Sequence, residues 1–165
     1  YDGNWKSITD IVWANGNGTS GWQTITLDAS LFEAALKSGM SLNGVNFLNF
    51  TFNFADNAGN VQNVYIDNVR IVTGATEAAE AASDLLYGAS YVDGYFTTPG
   101  FGYDLQNTAY VNGTDSKYSL RFYAADDKTA WTNATFKLPR SIDLTKNTLK
   151  FDVLQKEHRA MNVDL

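Results

Sequence analysis

The sequence is rich in aromatic rings and short polar side chains, and it has few groups that act as acids, bases or nucleophiles. Aromatic residues make up 14% of the 165 residues, with one histidine and no cysteine. Aromatic rings cover the apolar C–H faces of a sugar, while amide, hydroxyl and guanidinium groups hydrogen-bond its hydroxyls. These residue types therefore favour sugar binding. The candidate ligand-binding residues are Trp5, Trp13, Asn49, Asn53, Tyr95, Tyr103, Arg121 and Tyr123.

The acidic residues and the histidine lack the spacing that an enzyme of sugar hydrolysis requires. Glycoside hydrolases place two carboxyl groups about 5 Å or roughly 6.5–9.5 Å apart across a cleft. The nearest pair here, Asp126 and Asp127, would point in opposite directions in a strand. The single histidine, His158, lies in a charged loop without a partner at metal-binding spacing. We expect that the protein is not an enzyme.

The charge balance and hydropathy exclude two further classes of partner. The formal net charge is −6, and Lys and Arg do not cluster along the chain, whereas nucleic-acid binding needs a basic patch. No apolar run approaches the roughly 20 residues that a membrane-spanning helix needs. We therefore expect no nucleic-acid partner and no membrane insertion.

The elements that position the candidate residues are predicted to be short strands. In residues 48–54 large apolar residues alternate with Asn49, Thr51 and Asn53, so one strand face is buried and the other is polar. We expect this polar face to form the floor of the same concave sheet that carries Arg121 and Tyr123. Further strands are predicted at residues 23–27, 64–72, 109–111, 118–124, 134–138, 148–153 and 159–165. Many short strands separated by polar turns predict an all-β sandwich of two antiparallel sheets.

Two segments depart from the strand pattern. Ser30 and Glu33 have the S-x-x-E spacing of a capping box, and Gly39 follows as a stop signal, which predicts one short surface helix over residues 30–37. Residues 75–84 contain an Ala/Glu stretch without an apolar stripe and are predicted to be a linker.

The two chain ends match each other in sequence. Residues 160–165 have the pattern of a strand, and residues 1–5 contain the Asp-Gly turn and return that would follow it. We therefore expect a single domain over residues 1–165, made of halves 1–74 and 85–165 joined by the linker 75–84. In this interpretation the natural module begins near Leu85 and finishes near Val72, so the chain is a circular permutant or one period of a tandem array. The alternative is that the position of the ends has no such meaning.

Three motifs carry a family resemblance. They are YVDGYF at residues 91–96, DSKYSLRF at 115–122 and VYIDNVRI at 64–71. With the halves reordered, the sequence resembles the β-jelly-roll carbohydrate-binding modules of the galactose-binding-domain-like superfamily. The resemblance implies a jelly-roll sandwich that binds a polysaccharide or glycan without catalysis. It also implies a protein that is extracellular or on the cell surface of a bacterium.

The motif at residues 64–71 also predicts a local irregularity. Val64 and Ile66 share one strand face, but the apolar series resumes at Val69, three residues later, so a β-bulge is expected at Asp67 and Asn68. Modules of the resembled family often hold a structural calcium ion nearby, which implies Asp67 and Asp93 as metal ligands. The alternative is that Asp67 only caps the bulge and Asp93 only starts a turn.

Two functional hypotheses follow from these patterns. In the first, the protein is a noncatalytic carbohydrate-binding module of a secreted or surface bacterial protein. In the second, it is a structural tandem-repeat module of a surface adhesin, stalk or filament, which assembles head to tail by strand exchange.

Overall fold

Strands dominate the computed structural model, which describes residues 8–10, 12–13, 21–53, 62–73, 84–85, 90–93, 101–112, 117–124, 131–155 and 161–165. The strands are β1 Val12–Trp13, β2 Gln23–Leu27, β3 Asn43–Asn53, β4 Gln62–Thr73, β5 Asp84–Leu85, β6 Ser90–Asp93, β7 Phe101–Asn107, β8 Ser119–Ala124, β9 Trp131–Asp143, β10 Asn147–Leu154 and β11 Met161–Asp164. Within these ranges, one helix, α1 Ala29–Ala34, lies between β2 and β3.

The strands form two antiparallel sheets. The first sheet has the order β1-β11-β3-β9-β6, and the second has the order β2-β10-β4-β8-β7, with β5 beside β4. The predicted all-β sandwich is therefore confirmed, while jelly-roll connectivity stays a prediction. Strand β11 lies between β1 and β3 of the same chain, and the Ile8 amide donates to the carbonyl of Leu165. Both predicted halves of the chain contribute strands to both sheets.

Among the described residues, five phenylalanine rings join the two sheets. In the first sheet, Phe50 lies 5.8 Å from Phe136 between ring centroids. Across the sandwich, Phe50 lies 5.3 Å from Phe151, and Phe122 lies 5.1 Å from Phe52 and 5.7 Å from Phe136. These edge and offset arrangements are favourable beyond the burial of area. The predicted alternation of β3 is confirmed, because Leu48, Phe50 and Phe52 all belong to this core; Phe54 lies outside the described residues.

The helix forms near its predicted place but with a different start. Helix α1 spans Ala29–Ala34, and Asp28 is the N-cap residue without a side-chain capping hydrogen bond. The predicted cap at Ser30 is therefore wrong, and the helix ends before residue 37. Its buried Phe32 joins the main core, so packing rather than capping anchors this single turn and a half of helix.

Most predicted strands are confirmed, and one is wrong. Residues 109–111 are not a strand, and the strand before them is β7. The Asn107 Oδ1 atom accepts hydrogen bonds from the amides of Ala109 and Tyr110, which turns the chain out of the sheet. The predicted linker 75–84 lies outside the described residues except for Asp84, which pairs with Ile71 in β4. Within the described residues, no helix has the length and apolar character to cross a bilayer.

The core predicts a large difference between two substitutions. Phe50→Ala is expected to lower the free energy of unfolding by about 3–5 kcal/mol, because it leaves a cavity among three neighbouring rings. Leu31→Ala, at a helix residue that is 44% exposed, is the control and is expected to cost about 0.5 kcal/mol or less. Urea denaturation measures both. Equal midpoints for the two variants would contradict this account of the core.

Candidate functional site

A β-bulge in β4 shapes the outer face of the second sheet. Asp67 pairs with Asp152 and Arg70 pairs with Lys150, so Asn68 and Val69 together face one residue of β10. The bulge that the sequence predicts at this point is confirmed. Asn68 has φ +50°, a left-handed conformation that asparagine adopts more readily than most residues. This backbone turns the Asn68 side chain toward Asp152.

Asp152 is a buried carboxylate that is hydrogen-bonded from three directions. Its Oδ1 accepts from Thr24 Oγ1 at 2.7 Å, and its Oδ2 accepts from the side-chain amides of Asn68 at 2.7 Å and Asn112 at 2.9 Å. The guanidinium of Arg70 lies 3.5 Å from the Asp152 Oδ1 atom. Asp152 is only 5% exposed. Because a buried charge is costly without partners, these donors stabilise its carboxylate.

Asp67 is the second buried carboxylate, and it binds the backbone. It is 2% exposed, its Oδ1 accepts from the backbone amide of Asn68 at 2.7 Å, and its Oδ2 accepts from the backbone amide of Asn112 at 2.8 Å. We call Asp67, Asn68, Asn112 and Asp152 the aspartate node. Asn68 and Asn112 each donate a backbone amide to Asp67 and a side-chain amide to Asp152. The node therefore fixes the position of Asn112.

The node thereby holds residues 108–112 against the outer face of the second sheet. Ser119 Oγ donates to the carbonyl of Tyr110, which is a further attachment of this segment. The Tyr110 ring packs against Tyr65 at 4.8 Å between centroids, with the planes inclined by 46°. Tyr110 remains 41% exposed. The segment therefore presents one exposed aromatic ring beside a second, half-buried ring.

Arg121 extends this aromatic surface along β8. It pairs with Tyr65 across β4 and β8, so the two side chains lie on the same face. Its Nε donates to Asn63 Oδ1 at 2.8 Å, and its Cζ lies 4.4 Å from the centroid of the Tyr123 ring. This distance is within the range of a cation–π contact. The guanidinium is thus held against the Tyr123 ring and the Asn63 side chain by directional contacts.

Gly102 supports the ring of Tyr123 from below. The two residues pair across β7 and β8, and a Cβ atom on Gly102 would overlap the far end of the Tyr123 ring. Only glycine allows the ring to lie over the edge-strand backbone in this way. We call Tyr65, Tyr110, Arg121 and Tyr123 the tyrosine–arginine patch.

Tyr65 stays protonated in the patch over the ordinary pH range. Burial raises the pKa of its phenol above the usual value, and nearby Tyr110 adds to the rise, while the charge of Arg121 and a hydrogen bond from it oppose the rise. Since the folded-state pKa is the higher one, the favourable protonated form is present below pH 10 and is lost only as pH rises beyond it. The phenol therefore remains neutral near pH 7.

The candidate residues of the second sheet divide between its two faces. Arg121 and Tyr123 belong to the patch. Tyr103 is 49% exposed, but it pairs with the buried Phe122, so it lies on the other face at the edge of the sheet. The structure therefore does not bring Tyr103 together with the patch.

The predicted polar floor lies on the opposite side of the protein from the patch. Asn49 and Asn53 are on β3 of the first sheet, whereas Arg121 and Tyr123 are on β8 of the second. The prediction that they share one sheet is wrong, because long-range pairing places β3 between β11 and β9. Asn49 is 3% exposed, and its Oδ1 accepts a hydrogen bond from Thr135 at 2.9 Å, so it supports its own sheet.

The other candidate ligand residues lie wholly or partly outside the described residues. The backbone of Trp13 pairs with Asn162 in the first sheet, in the same cross-strand row as Thr51. The side chains of Trp13 and Asn53 lie outside the described residues, as do Trp5 and Tyr95 entirely. Their roles as ligand contacts stay predictions.

The two predicted calcium ligands are not brought together. Asp67 is on β4 in the second sheet and uses both oxygens to accept amide hydrogen bonds, whereas Asp93 is on β6 in the first sheet. Calcium needs six to eight oxygen ligands. In the described parts of the chain, no three His, Cys, Asp or Glu side chains are grouped to hold a metal ion. Asp67 and Asp93 therefore do not share one sheet as a pair of ligands, and calcium binding itself stays a prediction.

Sequence reasoning missed two members of the patch. Tyr65 alternates with the buried Val64 and Ile66, and that alternation was a signal for an outward-facing ring. Tyr110 gave no such signal, because its segment has the sequence pattern of a strand. Its position depends instead on the hydrogen bonds from Asn112 to Asp67 and Asp152.

Comparison with protein-family models, curated proteins and solved structures finds no match to this chain.

The node predicts that Asp67→Asn destabilises the fold although it keeps the side-chain shape. One of the two acceptor oxygens becomes an amide group that faces a backbone N–H, so the free energy of unfolding is expected to fall by about 1–3 kcal/mol. The control is Asp10→Asn, which removes a surface ion pair of 3.8 Å from a side chain that is 78% exposed and costs about 0.5 kcal/mol or less. Urea denaturation of both variants checks this, and an unchanged midpoint for Asp67→Asn would contradict it.

Proposed function

We propose that the protein is a noncatalytic carbohydrate-binding module and that it binds a polysaccharide or glycan through the tyrosine–arginine patch. The observation that carries this proposal is the placement of Tyr110, Tyr123 and Arg121 on one outer face. Their ring faces and guanidinium donors are the groups that sugar recognition needs. The motif resemblance supports the same function and an extracellular or cell-surface location in a bacterium.

The patch suits binding because it is held in place before a ligand arrives. Tyr123 is supported by Gly102 and Arg121, and Tyr110 is held through the backbone of its segment. Since few side chains must be ordered on binding, less of the contact energy is lost as entropy. A sugar lying across the patch would contact the rings with its C–H face and Arg121 and Asn63 with its hydroxyls.

The alternative of a strand-exchanging structural module is not favoured by an observation in the described residues. Strand β11 pairs with both β1 and β3 of its own chain. Exchange with a neighbour would replace these pairs by equivalent ones, and nothing in the pairing favours the neighbour's copy.

The proposal predicts a specific pattern of binding loss. Against a panel of plant, microbial and host glycans, the protein is expected to bind at least one member. Tyr110→Ala and Tyr123→Ala are each expected to weaken that binding roughly three- to tenfold, the effect of losing one aromatic contact. Isothermal titration with the bound glycan measures the change.

Two further variants make this test specific to the patch. Tyr103→Ala removes an exposed tyrosine from the other face of the same sheet and is expected to leave affinity unchanged. Gly102→Ala is expected to weaken binding as much as Tyr123→Ala, because the added methyl group displaces the ring. No binding across the panel, or equal loss in Tyr103→Ala, would overturn the proposal.

A further inference from the structure

Arg121 has an orientation that is fixed by protein contacts yet leaves donors for a ligand. The planar guanidinium has five N–H donors. Its Nε–H is committed to Asn63 at 2.8 Å, and Arg121 pairs with Tyr65 on the neighbouring strand. With its Cζ 4.4 Å from the Tyr123 ring centroid, the plane of the group is restrained. The remaining N–H donors of the guanidinium therefore have a fixed direction before a ligand binds.

The positive charge of Arg121 is not neutralised by an ion pair within the described residues. The acidic residue directly opposite it is Asp104 on β7. Asp104 uses its Oδ1 to accept from the backbone amide of Gln106 at 2.9 Å and forms no ion pair with Arg121. A half-buried guanidinium packed on an aromatic ring is partly desolvated, so an anionic ligand group gains more from it than from an arginine in water.

We infer that Arg121 binds the carboxylate of an acidic sugar, so that the ligand of the patch is a glycan containing uronic acid. This inference rests on the proposed function and adds the charge of the ligand to it. Tyr110 and Tyr123 contact the apolar face of the sugar ring, and the guanidinium donates charge-assisted hydrogen bonds to the carboxylate. Planar donors match a planar carboxylate better than they match a single hydroxyl.

The negative net charge of the protein weakens its affinity for a polyanion, so the salt concentration of the test matters. The formal net charge is −6, which repels an acidic polysaccharide at long range. At about 0.15 M salt the screening length is roughly 8 Å, so contact with Arg121 outweighs the distant charges. Affinity is therefore measured at physiological salt and not in dilute buffer.

The test compares uronic-acid oligosaccharides with the same oligosaccharides after reduction of their carboxyl groups to alcohols. The wild-type protein is expected to bind the acidic form at least about tenfold more tightly than the reduced form, because charge-assisted hydrogen bonds form only with the carboxylate. Arg121→Gln is expected to abolish this preference while leaving part of the neutral binding. Asp104→Asn is expected to tighten binding of the acidic form a few-fold, because it removes the opposing charge and keeps the oxygen that accepts from Gln106.

The outcomes separate this inference from the proposed function. Equal affinity for the acidic and reduced forms overturns the inference and leaves sugar binding intact. Stronger binding of a sulfated galactan, which is anionic but contains no uronic acid, than of any uronic-acid oligosaccharide also overturns it. Failure to bind either form overturns the inference, and the proposed function falls with it only if the wider glycan panel is negative too. A preference that survives in Arg121→Gln shows that another residue recognises the carboxylate and overturns the inference.

Discussion

Two aspartate side chains lie opposite each other on neighbouring strands of the second sheet, away from water. Like charges that face each other across strands are destabilising, so Asp67 and Asp152 require donors from elsewhere. Those donors are supplied by Asn68 in the bulge, by Arg70 and by both the backbone and the side chain of Asn112. The need to satisfy two buried carboxylates therefore dictates where residues 108–112 lie.

The aromatic core and the aspartate node have separate roles. The five core rings hold the two sheets face to face and cover the inner face of the second sheet, so Tyr65, Arg121 and Tyr123 lie on its outer face. The node then adds Tyr110 to that face from a segment that is not a strand. The tyrosine–arginine patch, built from the neighbouring strands β4 and β8 and one segment held by the node, needs both the core and the node to be intact.

Local pattern predicted the elements well and their partners poorly. The alternation of β3 and the three-residue step at Asp67 are properties of adjacent residues, so the strand and the bulge could be found in the sequence. The placement of Asn49 and Arg121 in different sheets depends on pairing between residues far apart in the chain. Tyr110 is placed by acceptors 40 and 45 residues from Asn112, which no local pattern contains.

The most direct measurement of the central claim is the proximity of the Tyr65 and Tyr110 rings by nuclear Overhauser effects in the wild-type protein and in Asp152→Ala. The account predicts contacts between these rings in the wild type. It predicts their loss in Asp152→Ala, while contacts between Phe50 and Phe151 in the core persist. Undiminished contacts between Tyr65 and Tyr110 in a folded Asp152→Ala protein would show that the node does not position the patch, and would contradict the account.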